Sequence, residues 1–494
     1  MITSIIALIV AAAVPPVTIP NAVETLRHGA NLVVAGEPVC ATHPLPLFYA
    51  RRDFQPAWSA ADEEALLGAI RHAADEGLNP ADYHLGAIES LGRDGTHHAE
   101  IDLLLSDAFF LYASHLLAGR IDPITIEPTW CLEPRTSDLV PALETALENH
   151  ELAATLAGMR PSQKGYRQLR DELARYQRMT PWQPIDKGRS LRLGGYDSRV
   201  AQLVARLVAS GDLDGAHASF DDTVQEAVRR FQRLHGLDDD GVAGARTLRE
   251  LNVPLSDRTR QLELNLERWR WLPATLGDRH ALINIPQFQL SVIERGAPVL
   301  TMRIVVGKDF EHRTPVFSRE IKQIVFSPYW NIPDSIAEKE LWPKQKRDRH
   351  FFEREHIQVR PNGRLRQTPG PWNALGFIKF ELPNPYSVYL HDTPSRDLFA
   401  QSVRTFSHGC IRLEKPVDLA RDLLGDDPLW TIDRIVAESR TGIEHTVDVN
   451  RPLMVHVLYW TAWVDTDGDL HFAPDIYARD PALDQAMRKR PPKF

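Results

Sequence analysis

Cysteine is scarce in this chain of 494 residues, which has three: Cys40, Cys131 and Cys410. In a reducing compartment all three would be buried thiols, whereas an oxidising one favours one disulfide and one leftover thiol. A bridge between Cys40 and Cys131 stays open, because sequence does not show how far apart the two residues lie. The chain therefore has at most one disulfide.

The chain also lacks an excess of basic residues. It has 57 Lys and Arg and 66 Asp and Glu, which gives a net charge of -9. We expect no nucleic-acid partner, because such proteins usually carry a basic excess. With 43% hydrophobic and 25% charged residues, wholesale disorder, a collagen-like chain and a polytopic membrane protein are excluded. The length fits about three domains of ~150 residues each.

An apolar run at residues 2–14 is a candidate targeting segment. It has the length of a signal peptide and is shorter than the ~20 residues of a spanning helix. Ala11 to Ala13 supply the small residues of a cleavage site, although no Lys or Arg precedes the run. We therefore expect an exported protein of the periplasm or cell envelope. Residues 1–30 are interpreted as a signal peptide or N-terminal anchor plus an irregular tether at 15–30. Membrane contact is expected only through this segment, if it is retained, since we expect no later segment to reach spanning length.

Helical patterns dominate residues 31–185. Apolar side chains recur every three to four residues in Glu63–Ala74, and Ile101–Leu117 is apolar enough to be buried on most sides. Leu139–Ala157 is predicted to be one further helix. Because these patterns lack the residue types of a reacting site, we interpret residues 31–185 as a helical scaffold domain.

Three short helices are predicted in residues 186–255. The apolar residues from Val200 to Leu207 share one helix face, and the same spacing recurs from Val224 to Phe231. A resemblance to the three-helix peptidoglycan-binding domain covers the stretch FDDTVQEAVRRFQRLHGLDDDGVAGARTLRELN. Since so small a bundle buries little surface, we expect a binding module here rather than an enzyme.

Strand patterns dominate residues 256–485, as short β-branched runs separated by Gly, Pro or charged turns. Residues of about 328–375 interrupt them with aromatics, prolines and nine Lys or Arg against five Asp or Glu between Glu338 and Arg366. This insertion is either a solvated face or a mobile lid over an anionic substrate. Residues 486–494 are a tail. The expected fold is multidomain α+β, with a mostly β catalytic domain and a lid insertion after the two helical domains.

The residue types for a reaction occur at Ser407-His408-Gly409-Cys410. Glycine permits a tight turn that aims backbone N–H groups at one point, so a thiol there can attack a carbonyl while these groups hold the oxyanion. A thiol of pKa ~8.5 needs a base. His391 ends a predicted strand and is the candidate base, whereas His408 is more suited to shaping the turn.

Three other readings of these residues remain at this point. Cys410 could be an inert buried thiol. A zinc site of His391, His408 and Cys410 has little support, because the spacing is unlike the usual CxxC or HxxxH sets. A redox site has little support either, because no second cysteine lies nearby in the sequence. We expect no metal and no cofactor.

The segment YLHDTPSRDLFAQSVRTFSHGCIRLE, residues 389–414, resembles the signature of the L,D-transpeptidases of YkuD type. His391 is followed by fifteen residues and then by Ser407-His408-Gly409-Cys410. Similarity extends to residues 266–273, 303–317, 327–336 and 369–394. With a scaffold and a binding module in front, the chain resembles the large YcbB subgroup of Gram-negative envelopes. Asp392 stands where many smaller members have Gly.

The resemblance implies a role for each matching residue. Cys410 would be the nucleophile and His391 the base, with a backbone carbonyl near Asp392 orienting the imidazole. The N–H groups of Gly409 and Cys410 would hold the oxyanion.

The substrate side of the resemblance involves four more residues. Arg412 would pair with a carboxylate of the stem peptide, unless it forms a structural ion pair. Tyr389 shares a strand face with His391 and would wall the site, unless it simply packs. Ser407 and His408 complete this expected substrate-binding set.

The implied reaction is a ping-pong acyl transfer between peptidoglycan stems. The thiol attacks the third residue of a tetrapeptide donor stem, releases the terminal D-Ala and forms a thioester, which the amine of an acceptor stem resolves. Envelope proteins are further candidate partners. The alternatives are an L,D-carboxypeptidase or amidase-type hydrolase that uses the same thioester, and a non-catalytic wall-binding protein.

Overall fold

The computed structural model describes residues 17–92, 96–308, 312–425 and 427–494. The predicted targeting segment at residues 2–14 lies outside the described residues. The chain divides into two compact units. The first comprises Met1–Arg120, Thr136–Pro161 and Met487–Phe494, and the second comprises Ile121–Arg135 and Ser162–Ala486. The predicted scaffold of residues 31–185 is thus divided between the two units, and most of the predicted tail belongs to the first.

Eighteen helices lie in the described part of the chain. They are α1 (Ile19–Arg27), α2 (Pro44–Arg51), α3 (Ala60–Arg71), α4 (Leu85–Leu91), α5 (His98–Ala118), α6 (Leu139–Asn149), α7 (Leu152–Gly158), α8 (Lys164–Gln177), α9 (Val200–Ser210), α10 (Asp222–Leu234), α11 (Ala245–Leu251), α12 (Leu255–Arg270), α13 (Asp334–Ile336), α14 (Trp342–Arg347), α15 (Phe351–Arg354), α16 (Pro416–Leu424), α17 (Ile432–Ser439) and α18 (Asp480–Met487). A π-helical turn at Ala337–Leu341 joins α13 to α14.

Seventeen strands lie in the same described ranges. They are β1 (Val33–Val34), β2 (Glu37–Pro38), β3 (Trp130–Cys131), β4 (Arg279–Asn284), β5 (Gln289–Glu294), β6 (Ala297–Gly307), β7 (Val316–Phe326), β8 (Trp330–Asn331), β9 (Ile357–Val359), β10 (Leu365–Gln367), β11 (Ile378–Glu381), β12 (Leu390–His391), β13 (Thr405–Ser407), β14 (Ile411–Leu413), β15 (His445–Leu458), β16 (Ala462–Val464) and β17 (Leu470–Phe472).

The first unit is helical and is organised around α5. This helix is long and apolar enough to cross a membrane, so our expectation that no later segment reaches spanning length is wrong on length and composition. Of its most apolar stretch, 78% is buried inside the protein, as in the core helix of a globular domain.

Two sequence predictions for the first unit are wrong. The expected tether contains α1, because its apolar residues recur at helical spacing and are buried, and Pro20 in the first turn is compatible with a helix. The expected single helix at Leu139–Ala157 is two, because His150 adopts a left-handed conformation with φ of 57° between α6 and α7.

The three cysteines are free thiols. Cys40 is buried in the first unit, where burial and the nearby Asp107 carboxylate raise its pKa to about 11. Cys131 belongs to β3 of the second unit. The bridge that the sequence left open between these two residues is not formed.

The second unit contains a helical bundle and a closed sheet. Helices α9, α10 and α11 surround an apolar cluster that includes Leu203, Val228 and Phe231. The sheet runs in the order β11-β12-β14-β6-β5-β4-β15-β7-β3, and β11 also pairs with β7. The sheet therefore closes on itself, and its strands β12 and β14 run in parallel beside each other.

The segment of residues 328–375, called the lid below, folds between β7 and β11. It contains the three-stranded sheet β8-β10-β9 and the short helices α13, α14 and α15. Its apolar side chains form a small cluster of their own, which consists of Ile332, Ala337, Leu341, Phe352, Ile357 and Leu365.

Candidate active site

The closed sheet places the candidate base and the candidate nucleophile on adjacent strands. In the parallel pair β12–β14, Leu390 lies opposite Ile411 and His391 opposite Arg412, and Cys410 immediately precedes β14. His391, Cys410 and Arg412 line one cavity of about 950 Å³. Residues of the lid, from Trp330 to Leu341, line the same cavity.

The turn before Cys410 is shaped by glycine and by one hydroxyl. Gly409 has a φ of +115°, a conformation that residues with a Cβ rarely adopt. The Ser407 hydroxyl donates to the Cys410 carbonyl oxygen at 2.5 Å and accepts from the Gly409 N–H at 3.1 Å. Because the Gly409 N–H is engaged by Ser407 in this conformation, its donation to an oxyanion stays a prediction. The Cys410 N–H, by contrast, has no acceptor within the described chain.

The Cys410 thiol is half-buried. It donates to the Ser387 carbonyl oxygen at 3.9 Å, and the Tyr389 hydroxyl also contacts it. The backbone of Tyr389 also hydrogen-bonds to the sulfur. Among the described residues, the hydrogen bonds of the thiol thus go to Ser387 and Tyr389 rather than to the ring of His391. Burial raises the pKa of the thiol, against smaller opposing effects that include the charges of Lys379 and Arg412. The thiol is therefore neutral at neutral pH.

His391 is held by the backbone of the next residue. Its Nδ1 lies 2.5 Å from the Asp392 carbonyl oxygen, and the ring also contacts the backbone of Leu375. In the tautomer whose Nδ1–H donates to Asp392, Nε2 is the proton acceptor. Burial and then the positive charge of Arg412 lower the pKa of His391 to about 3. The imidazole is thus neutral over the whole physiological range, as a general base has to be.

The Asp392 carboxylate has a separate, structural role. It accepts from the Phe377 N–H at 2.9 Å and lies 3.3 Å from Arg396. Its burial raises its pKa, against opposing hydrogen bonds from the Phe377 and Thr393 backbone. The contact of this residue with the His391 ring is made by its backbone carbonyl.

Arg412 lies in the cavity without a carboxylate partner among the described residues. Its Nε is buried and has no hydrogen-bond partner. Burial lowers its pKa. The structural ion pair that the sequence left open is not formed, so the guanidinium is available to an anion in the cavity.

Tyr389 contacts the reacting groups on one side and the lid on the other. Its ring packs edge-on against His391, with centroids 5.6 Å apart, and the Nζ of Lys379 lies 4.3 Å from its ring centroid. Its hydroxyl is shared between the thiol of Cys410 and the indole of Trp330. Burial, and then the nearby Cys410, raise the pKa of the Tyr389 hydroxyl.

His408 joins the turn to the lid. Its Nε2 lies 2.6 Å from the Glu340 carboxylate, and its ring packs edge-on against that of His312 at 4.8 Å. Burial would raise the pKa of Glu340, but the hydrogen bond and the charge of His408 outweigh it and lower that pKa. Glu340 was missed by sequence reasoning, because nothing local in the lid marks it as a partner of residue 408.

The turn also has a buried anchor that sequence reasoning missed. The Thr314 hydroxyl donates to the Gly409 carbonyl oxygen and accepts from the Gly307 N–H, both at 2.9 Å. The Tyr477 hydroxyl donates to the Gly307 carbonyl oxygen at 2.7 Å and accepts from the Thr314 N–H at 3.2 Å. Thr314 lies in a stretch that carries the resemblance, but an isolated Thr gives no signal of such a role.

The zinc interpretation gains no support from these contacts. Within the described ranges there is no group of three or more His, Cys, Asp or Glu side chains arranged to hold a metal ion. His391 and His408 hydrogen-bond to the Asp392 carbonyl and to Glu340 instead.

Comparison with known families gives three matches along the chain. Residues 43–173 match a scaffold domain, residues 196–251 a peptidoglycan-binding domain, and residues 278–436 the L,D-transpeptidase catalytic domain, YkuD. Residues 278–436 are an L,D-transpeptidase catalytic domain. Together the three matches give the chain the YcbB-like architecture that the sequence resemblance implies.

Known proteins similar to the chain carry the same family name. A curated protein of Haemophilus influenzae, named an L,D-transpeptidase, is 31% identical over 255 residues. The match covers 47% of this chain and spans about half the length of that relative (50%). Among solved structures, the L,D-transpeptidase of Xylanimonas cellulosilytica is 15% identical with a TM-score of 0.19. The match covers 55% of this chain and 98% of that structure's chain. The L,D-transpeptidase of Stackebrandtia nassauensis is 14% identical with a TM-score of 0.23. The match covers 56% of this chain and 97% of that structure's chain.

Proposed function

We propose that this L,D-transpeptidase domain crosslinks peptidoglycan stem peptides through a thioester on Cys410. The observation that carries the proposal is the shared cavity, in which Cys410 lies beside a neutral imidazole and a guanidinium whose buried Nε has no hydrogen-bond partner in the described chain. We further infer that the protein works in the periplasm or cell envelope, where peptidoglycan is found.

The first half-reaction begins from two neutral groups. The thiol turns from Ser387 towards His391 and gives its proton to Nε2 while the sulfur attacks the carbonyl carbon of the third stem residue. The Cys410 N–H donates to the oxyanion. Burial and the charge of Arg412 disfavour the charged imidazole, so His391 readily passes the proton to the leaving nitrogen. D-Ala then departs with a neutral amine, and a thioester remains on Cys410.

The second half-reaction reverses these proton transfers. His391 takes a proton from the side-chain amine of an acceptor stem as its nitrogen attacks the thioester. The C–S bond breaks, the sulfur recovers the proton from His391, and an amide crosslink is released. A water molecule in place of the amine would give the carboxypeptidase reaction.

A second cavity supports transfer to an acceptor stem. It has a volume of about 280 Å³ and shares Arg412, Trp330, Leu341 and Ala374 with the larger one. Two cavities that meet beside the nucleophile suit two stems, one in each. Arg412 can then pair with a stem carboxylate at the point where they meet.

The lid supports the proposal by covering the cavity. A thioester has to be protected from water until the acceptor arrives, and covering loops commonly exclude solvent in this way. The contacts of Glu340 with His408 and of Trp330 with Tyr389 attach the lid directly to the reacting side.

Mass spectrometry of muropeptides tests the proposal. Purified protein is incubated with tetrapeptide-bearing wall material, and we expect crosslinked dimers from the parent and none from Cys410→Ala or His391→Gln. His350→Gln, at an exposed lid histidine, is the matched control and should keep full activity. Dimers that persist in Cys410→Ala contradict the mechanism, tripeptides without dimers favour a carboxypeptidase, and no product from the parent favours a wall-binding protein.

A further inference from the structure

A third cavity lies away from the active site, where the three-helix bundle meets the rest of the second unit. It has a volume of about 240 Å³ and is lined by residues of α8, α9, α10, α12 and the hairpin β16–β17. The bundle touches the hairpin directly, since His235 stacks on Phe472 at 5.4 Å and Arg230 pairs with Asp469 at 2.5 Å. Exposed Gly211 and Gly468 mark its open side.

Two cations that line this cavity have a buried donor without a partner among the described residues, the Nη1 of Arg206 and the Nε of Arg258. Arg206 is 2% exposed, its Nε donates to the Leu251 carbonyl oxygen at 2.7 Å, and its guanidinium lies 3.7 Å from the ring centroid of Trp182. Its Nη1 is buried and has no hydrogen-bond partner within the described chain. A buried N–H without an acceptor costs free energy, so a ligand that supplies one is stabilised there.

One acceptor in the cavity has an oxygen that takes part in a long ion pair but in no hydrogen bond. The Asp212 side chain is 7% exposed, and its Oδ2 accepts from the Ser210 hydroxyl at 2.5 Å. Its Oδ1 lies 3.7 Å from Arg230, beyond hydrogen-bond distance, and accepts no hydrogen bond among the described residues. The cavity thus offers the Arg206 donor without an acceptor and a carboxylate oxygen without a hydrogen bond.

The charged side chains that line the cavity nearly balance, so they do not favour a charged ligand over a neutral one. Four arginines face three carboxylates in its lining, and the fourth charge is balanced because Arg258 pairs with Glu250 outside it. A neutral group that accepts one hydrogen bond and donates another matches such a site, and a secondary amide is such a group.

We propose that this cavity binds a secondary amide of peptidoglycan, with the amide carbonyl on Arg206 and the amide N–H on Asp212. The inference rests on the proposed function only in taking peptidoglycan as the ligand. The cavity is smaller than the ~300–1,000 Å³ of pockets that enclose a whole small molecule, so it takes one unit of the polymer. Both the N-acetyl groups of the glycan and the peptide bonds of the stem supply this amide.

The test uses the full chain with Cys410→Ala, so that its result does not depend on catalysis and stays informative if the proposed reaction is wrong. An N-acetylglucosamine tetramer and a stem tetrapeptide are titrated separately by isothermal calorimetry. We expect Asp212→Leu to weaken the binding of one probe by about fivefold to tenfold, the effect of one lost hydrogen bond. Asp214→Leu, at an exposed position of the same loop, is the matched control and should leave Kd unchanged.

A second variant keeps both polar groups and fills the space. Ser210 ends α9 and lines the cavity, so Ser210→Leu should weaken the same probe, with folding checked by thermal unfolding. If the variants bind the N-acetylglucosamine tetramer more weakly, the site is supported and its ligand is the N-acetyl group. If they bind the tetrapeptide more weakly, the site is supported and its ligand is a peptide bond of the stem. If neither probe binds, or if both variants bind like the parent, the proposal is wrong.

Discussion

The turn that carries Cys410 and the lid face the same cavity, but they are held in different ways. The turn is fixed by hydrogen bonds between buried groups, from Ser407 within it and from Thr314 beneath it. The lid has a small apolar cluster of its own and meets the turn through the partly exposed pair of Glu340 and His408. A nucleophile has to be positioned closely, whereas a cover has to open for two polymeric substrates. Damage to the turn should therefore reduce the rate, and damage to the lid should change the fate of the thioester.

The protonation of Cys410 gives the largest expected effect. Because its pKa is raised by burial, the reactive thiolate fraction should rise about tenfold per pH unit from pH 6 to 9, or roughly a thousandfold. The titration of His391 adds no step in this range, because its pKa is about 3. Alkylation with iodoacetamide, followed peptide by peptide so that Cys131 serves as an internal reference, measures the slope. A plateau between pH 6 and 7 would indicate a preformed thiolate–imidazolium pair instead.

Removing the anchor of the turn should have the next largest effect. Thr314→Val leaves the Gly409 carbonyl and the Gly307 N–H without their partner, so we expect about 2–3 kcal/mol of lost stability and a fall in kcat of roughly a hundredfold. KM should change little, because Thr314 is not among the residues that line the cavity.

Thr314→Ser is the matched variant, since it keeps the hydroxyl. Steady-state kinetics and thermal unfolding are measured for both. If Thr314→Ser is as slow as Thr314→Val, or if Thr314→Val loses stability but no rate, the hydroxyl does not position the nucleophile.

The same comparison explains how far the sequence could predict the site. The signature residues from His391 to Cys410 are close in the chain, so the motif itself brings them to notice. Thr314, Glu340 and Tyr477 come from distant parts of the sequence, and only the closed sheet and the lid bring Thr314 and Glu340 to the turn. A sequence motif also does not show that the Ser407 hydroxyl accepts the Gly409 N–H.

Arg412 lines the cavity between the turn and the lid, so changing it probes the place where these two regions meet. We expect Arg412→Lys to raise the KM for the donor stem by about tenfold with a smaller change in kcat, because an ammonium cannot pair with a carboxylate through two parallel hydrogen bonds. Arg349→Lys, on an exposed lid arginine, is the matched control.

The charge of Arg412 gives an independent measurement. Arg412→Met removes the positive charge that lowers the pKa of His391, so this pKa should rise in an NMR titration but stay below 6.5, because the ring remains buried. A pKa of His391 that does not move would mean that Arg412 lies too far from the ring to act on it.

The smallest effect is expected from the contact between lid and turn. Glu340→Gln should lower the ratio of transfer to hydrolysis by about twofold to fivefold, the range for a partly exposed ion pair, while the rate of D-Ala release stays close to that of the parent. Since the pKa of Glu340 is lowered by His408, the contact is present above that pKa and is lost as the pH falls through it. The parent should therefore hydrolyse relatively more at acid pH and Glu340→Gln should not. Glu338→Gln, on an exposed lid residue, is the control, and equal ratios in all three proteins at every pH would show that the lid protects the thioester without this contact.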